Sequence, residues 1–209
     1  MSHRVFILSP ARCSGKRADL IYNDQARFEL ATRIRHSEGV PLGEVFSFLS
    51  GLYFRGKLAY ALRFGRPPRG VPRALVIAPG RGLVDADERV TISDLREMAT
   101  VPVDLREPRY LDPLARDSRA LARQLGPAAH VVLLGSIATG KYCDPLSSAF
   151  DERLRFPAEF AGRGDMSRGG LMLRCVDEMR ELDYVCLGEG PRRGARPPKL
   201  PARRKADAF

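Results

Sequence analysis

The chain contains no tryptophan and only three histidines, His3, His36 and His130. With aromatic residues at 8% and Trp absent, a base-stacking platform of the single-strand-binding kind is not expected. The scattered histidines allow no Ser-His-Asp set. Cysteine is as sparse: Cys13, Cys143, Cys175 and Cys186 form no C-x-x-C pair and have no His at zinc-finger spacing. They read as free thiols in a reducing compartment. No metal or other cofactor is expected. Apolar runs are short, and none approaches the ~18 residues that suggest a membrane span. The run at residues 5–8 is too short for a signal-peptide core and lacks a small-residue cleavage site. The expectation is a cytoplasmic protein with no membrane association and no evident obligate protein partner.

Lysine is also scarce, with five among the 35 basic residues, so the basic charge is almost all arginine. GC-rich coding alone can produce that bias. Arginine is also the side chain that grips phosphate in a bidentate fashion and stacks on bases. The net charge is +10, a property that speaks about partners and not about fold. From residue 189 onward lie seven basic and two acidic residues with four prolines. Residues 188–209 are therefore expected to form a disordered basic tail. Without it the net charge is still +5, so the body is basic on its own account.

A chain of 209 residues with 44% apolar content suits one well-buried domain, placed here at residues 1–187. Short apolar runs at 5–9, 74–78, 130–134, 154–156 and 184–187 read as strands. Helical periodicity is expected over 24–37, from Pro41 to about residue 64 with interruptions at Gly51 and Gly56, briefly over 91–98, and over 118–125 and 167–180. Residues 100–113 hold three prolines and read as irregular. Alternating strands and helices point to an α/β fold: one domain, a mixed or mostly parallel sheet flanked by helices, and a basic cleft at the strand ends.

Four small-residue loops carry the chemistry. Gly135-Ser136-Ile137-Ala138-Thr139-Gly140-Lys141-Tyr142 matches the spacing of a phosphate-binding loop, but Tyr142 stands where a Mg²⁺-binding hydroxyl is needed. Asp144-Pro145 also argues against a helix starting there. A ligand other than a nucleoside triphosphate is the better reading for this turn. Gly162-Arg163-Gly164-Asp165-Met166-Ser167-Arg168 precedes a helix that also carries Arg174. Asp165 or Ser167 is expected to cap that helix, and its free amides with Arg163 and Arg168 would form an anion site. Ser9-Pro10-Ala11-Arg12-Cys13-Ser14-Gly15-Lys16 joins a strand end to two cations. Gly80-Arg81-Gly82-Leu83-Val84-Asp85-Ala86-Asp87-Glu88 crowds three carboxylates after a strand, which suits either a general base or a solvated turn.

Taken in order, Ser9-Pro10-Ala11-Arg12, then Gly80-Arg81-Gly82-Leu83, then Ser136 with Tyr142, then Arg163 through Ser167-Arg168 resemble the YaaA peroxide-stress superfamily, and most closely its shorter bacterial members. That family's Ser-Gly-Leu-Tyr-Gly string aligns with Pro79-Gly80-Arg81-Gly82 and loses its Tyr. The literal Ser50-Gly51-Leu52-Tyr53 lies upstream, inside an expected helix. The resemblance implies an α/β fold with a positively charged cleft that binds DNA. Relatives acting on modified bases imply N-glycosidic chemistry.

The expected function is thus a DNA-binding protein acting on nucleobases in the manner of a DNA N-glycosylase. The alternative is a non-catalytic DNA-binding protein for stress protection, and DNA is favoured over RNA. Asp165 is the first candidate for the catalytic carboxylate, followed by Asp85 and Asp144. Ser9, Arg12, Lys16, Ser136, Lys141, Tyr142, Arg163, Ser167, Arg168 and Arg174 are the candidates for binding nucleic acid or phosphate.

Overall fold

The computed structural model describes residues 3–138, 140–189, 194, 195, 197, 198 and 200. The order of elements is β1 (Arg4–Leu8), α1 (Lys16–Tyr22), α2 (Glu29–Arg33), β2 (Val40–Pro41), α3 (Leu42–Ser50) and α4 (Leu52–Phe64). Then come β3 (Ala74–Ala78), β4 (Gly82–Asp85), β5 (Arg89–Val90), α5 (Ile92–Ala99) and α6 (Pro108–Gln124). The chain continues through β6 (His130–Leu134), α7 (Gly140–Phe150), β7 (Leu154–Pro157), α8 (Asp165–Asp177) and β8 (Tyr184–Cys186).

Six strands make one sheet in the order β4-β3-β1-β6-β7-β8. The inner four run parallel, and β4 and β8 are antiparallel edges. β3 is apolar throughout, and β1 and β6 are apolar after their first residues Arg4 and His130, because helices cover both faces of the sheet. Side-chain alternation then divides each strand between two cores. Phe6, Leu8, Val76, Val132 and Leu134 pack on the face covered by α1 to α5 and α8. Val5, Ile7, Ile77, Val131 and Leu133 pack on the face covered by α6 and α7. The chain first moves from β1 to β3 on one side, then crosses to β6 on the other. The carboxyl ends of β1 and β6 therefore diverge at a topological switch point, where open α/β sheets place their ligands.

The expected strands at 74–78 and 130–134 match β3 and β6 residue for residue. The helical elements need corrections. Residues 24–37 hold only the short α2, and the preceding helix α1 begins inside the segment read as a loop. The long helix after Pro41 breaks at Gly51 (φ 59°) and passes through Gly56 unbroken. Residues 100–113 are not irregular to their end: α6 starts at Pro108 and carries Pro113 inside it. Pro108, at the first helical position, lacks an amide that would have no intrahelical partner, whereas Pro113, at the sixth, lacks one that would have bonded the Arg109 carbonyl.

A helix also forms where Asp144-Pro145 argued against one. This helix begins at Gly140 and runs through Pro145 to Phe150. Pro145 has no N–H for the Lys141 carbonyl four residues back, and the Tyr110 hydroxyl donates to that carbonyl instead, at 2.7 Å. The proline is accommodated because α6 supplies the missing donor. Most of the tail lies outside the described residues.

Candidate functional site

The carboxyl ends of β1, β3 and β6 open onto a cleft of about 620 Å³. Ser9 to Ser14 line it after β1, Pro79 after β3, and Ser136 with Lys141 and Tyr142 after β6. Ser50 and Tyr53 enter from the α3–α4 break, and Asp165 from the head of α8. The loop after α5 closes the remaining side with Val101, Pro102 and Val103.

Local sequence explains each placement. Gly51 separates α3 from α4 and leaves room for the Arg17 guanidinium, which would lie 2.3 Å from any β-carbon there. Arg17 donates to the Phe48 carbonyl at 2.9 Å and so secures the end of α3. The break brings Ser50 and Tyr53 to the cleft. One turn later α4 carries Lys57, whose side chain is fully buried. Its Nζ donates to the Ser9 carbonyl at 2.5 Å and lies 2.9 Å from Ser9 Oγ. The rings of Tyr53 and Phe54 cover it at 4.5 and 4.7 Å. Among the described residues no carboxylate bonds it directly. Burial pushes the Lys57 amine down to about 7, and Asp165 opposes that shift in part. Burial likewise pushes the Tyr53 phenol up to about 12, against the nearby Arg168 cation.

Helices α4 and α8 meet glycine to glycine, at Gly56 and Gly169. This brings Asp165 and Arg168 over Tyr53 and Lys57. Arg168 is buried, with Nε and Nη2 donating to the Phe160 carbonyl at 3.2 and 3.0 Å. It also faces Asp165 at 3.6 Å. Its guanidinium therefore holds the α8 entry in place, and Arg168, a candidate for phosphate binding, is turned inward and does not line the cleft. The helix start is corrected too. Gly164 occupies the cap position without a side-chain cap bond, and Ser167 Oγ instead accepts from Arg163 at 3.2 Å.

Of the other sequence candidates, Ser9, Arg12, Ser136, Lys141, Tyr142 and Asp165 share the cleft. Arg12 Nε is held by Ser14 Oγ at 2.9 Å. Arg163, Ser167 and Arg174 line a neighbouring cavity of about 660 Å³ on the other side of the α8 terminus, with Asp165 common to both. Lys16 is exposed at the start of α1, outside the cleft lining.

Asp85 pairs with Leu75 near the opposite end of β3 from Pro79, and its carboxylate accepts from the Asp87 amide at 3.0 Å. Asp144 is exposed on α7 and does not line the cleft. Asp165 is thus the one of the three candidate carboxylates in the cleft. Cys13 lines it as well, and burial pushes its thiol up to about 12, which disfavours the thiolate.

The sequence reading missed Tyr53 and Lys57. The literal Ser50-Gly51-Leu52-Tyr53 string was the available signal, and Gly51 as a helix break was its physical content. Nothing in the sequence marks Lys57 apart from an ordinary surface lysine of a helix. Among the described residues no group of three His, Cys, Asp or Glu side chains is placed to hold a metal ion. No helix among them is long and apolar enough to cross a membrane. No protein-family model, curated protein or solved structure matches the chain.

Proposed function

We propose that this chain binds nucleic acid, DNA in preference to RNA, and takes one nucleotide into the cleft at the strand ends, where Asp165 serves N-glycosidic chemistry on its base. The observation that carries the reading is the position of Asp165. Asp165 lines the cleft at the switch point of a mostly parallel sheet, together with Ser9, Ser136, Tyr142, Arg12 and Lys141.

Breaking an N-glycosidic bond develops positive charge on the sugar. A carboxylate below the ring stabilises that charge or draws a proton from the attacking water. The target base must leave the stack to reach such a site. A cleft of about 620 Å³ has room for a nucleotide. Arg12 and Lys141 would hold the flanking phosphates, with Arg163 and Arg174 extending the track past α8. The net charge of +10 supports the choice of a polyanionic partner, as does the resemblance to the YaaA superfamily.

The test is incubation of the full chain with labelled DNA carrying normal and modified bases, followed by alkali to reveal abasic sites. A gel shift across salt concentrations runs in parallel. Strand breaks that disappear in Asp165→Asn support the reading. Salt-sensitive shifts with no breaks for any base favour the plain DNA-binding protein, whose log K falls by roughly 0.9 per phosphate neutralised for each tenfold rise in salt. A charge-matched RNA that outcompetes DNA moves the partner to RNA, and the absence of both breaks and shifts removes the proposal.

A further inference from the structure

Lys57 plays no part in the proposed chemistry of Asp165, yet it is a fully buried amine directly behind Ser9, which lines the same cleft. A buried ammonium that lacks a carboxylate partner is unfavourable, and the common resolution is loss of its proton. The geometry suits the neutral form. Nζ donates to the Ser9 carbonyl at 2.5 Å and to Ser9 Oγ at 2.9 Å, and once the amine is neutral the second contact can reverse, with the Nζ lone pair accepting the Ser9 hydroxyl proton. Ser9 in turn lines the cleft. The third member is Tyr53. Tyr53 lines the cleft, and its hydroxyl, buried just behind the wall beside Ser9 and Arg168, makes no well-formed hydrogen bond among the described residues. A buried hydroxyl without an acceptor costs stability, unless a ligand supplies one.

We propose that Ser9 is a nucleophile, that Lys57 is its general base, and that the pair transfers the acyl group of a carboxylic ester or amide. Lys57 Nζ takes the proton of Ser9 Oγ as Oγ bonds to the carbonyl carbon. The electron pair of the C=O bond moves onto its oxygen, which accepts the Tyr53 hydroxyl. Collapse of this tetrahedral species restores the C=O bond and expels the alcohol or amine, which leaves with the proton from Lys57. Water then attacks the Ser9 ester, gives its proton to Lys57, and releases the acid as Oγ recovers that proton. A serine with a lysine base is an established variant of the serine nucleophile. Arg12 and Lys141 on the cleft wall select a substrate that carries a negative charge near the scissile bond.

Around Lys57 the titratable groups are Tyr53 on its own helix and Asp165 from α8, with Arg168 reaching Tyr53; Ser9 faces it from the end of β1. Asp165 favours the ammonium and burial opposes it more strongly. Nucleophilic reactivity should therefore rise with pH as the amine loses its proton near neutrality.

The probe is an alkyl fluorophosphonate, whose phosphorus traps a nucleophilic serine with loss of fluoride. It is applied to the full chain with no nucleic acid present, so this proposal and the DNA reading fail separately. The expected result is one adduct per chain, mapped by mass spectrometry to Ser9. It should be absent in Ser9→Ala and formed about 100-fold or more slowly in Lys57→Met. In the unaltered chain the labelling rate should rise through about pH 7. An adduct elsewhere, no adduct at any pH, or a folded Lys57→Met that labels as fast as the parent overturns the assignment. If Lys57→Met does not fold by circular dichroism, the pH profile of the unaltered chain decides, and a flat rate across neutrality overturns it equally.

Discussion

Gly56 and Gly169 lie backbone against backbone. A β-carbon on Gly56 would stand 2.6 Å from the Gly169 carbonyl oxygen, and one on Gly169 would stand 2.7 Å from the Leu52 carbonyl oxygen. This contact sets the spacing of α4 and α8, and with it the approach of Asp165 and Arg168 to Tyr53 and Lys57. Alanine normally stabilises a helix interior relative to glycine by about 1 kcal/mol. Here the obstruction is backbone, which cannot turn aside as a side chain can. Gly56→Ala and Gly169→Ala should each destabilise the fold by about 1–3 kcal/mol. Gly170 is the control, since its β-carbon would meet only the tip of Arg174 at 3.3 Å. Gly170→Ala should be neutral or slightly stabilising, and denaturant midpoints of the three variants check the contrast.

The Tyr110 hydroxyl stands in for the amide that Pro145 lacks. Tyr110→Phe should leave the Lys141 carbonyl without its donor and cost about 1 kcal/mol. Pro145→Ala returns an amide to that carbonyl, so Tyr110→Phe should cost less in the Pro145→Ala background. A double-mutant cycle in urea reads the coupling. Strict additivity would mean that the hydroxyl and the amide do not serve the same acceptor.

Arg168 acts through two nitrogens on one carbonyl, that of Phe160, and its guanidinium lies 5.3 Å from the Phe160 ring centre. A lysine has neither the planar fork nor the reach to reproduce both. Arg168→Lys should lower stability by roughly 1–3 kcal/mol. It should leave the salt dependence of any nucleic-acid binding unchanged, because the side chain is turned inward. A fall in the slope of log K against log salt for this variant would contradict that placement.

Lys57 also sets a pH dependence of stability. Its folded value is pushed down to about 7 from an unfolded value of 10.5. Between those limits the unfolded chain binds more protons than the folded chain, so this residue's contribution rises as pH increases from about 7 toward 10.5. It is lost as pH falls through the folded value, and below that it is constant. The full swing is of the order of a few kcal/mol. Lys57→Met should flatten this part of the stability profile, as followed by thermal unfolding between neutral and alkaline pH. An unchanged slope would place the proton elsewhere.

How much of this was legible in the chain differs by element. The strands at 74–78 and 130–134 were, because strands buried on both faces leave an unbroken apolar run whatever covers them. The α/β class and the end of the sheet where Ser9 and Ser136 meet followed from the same runs and the small-residue loops after them. The proline-bearing starts of α6 and α7 were not legible. In α7 the missing amide of Pro145 is visible in sequence, but the donor that compensates for it is Tyr110, 31 residues away from Lys141. The edge strand β4 escaped because it has one partner and only alternate burial.

The sequence by itself determined the basic charge, the apolar runs that become the sheet, and the small residues that end its strands, since each of these is a property of neighbouring residues. The tertiary structure alone decided which of Asp85, Asp144 and Asp165 enters the cleft, that Arg168 turns inward, and that Lys57 is buried against Ser9. These depend on tertiary packing: Lys57 meets Ser9 across 48 residues, and two glycines let α4 and α8 close together and bring Asp165 to the cleft. A charged side chain carries no local mark of whether its partner will be water, a carbonyl or a hydroxyl.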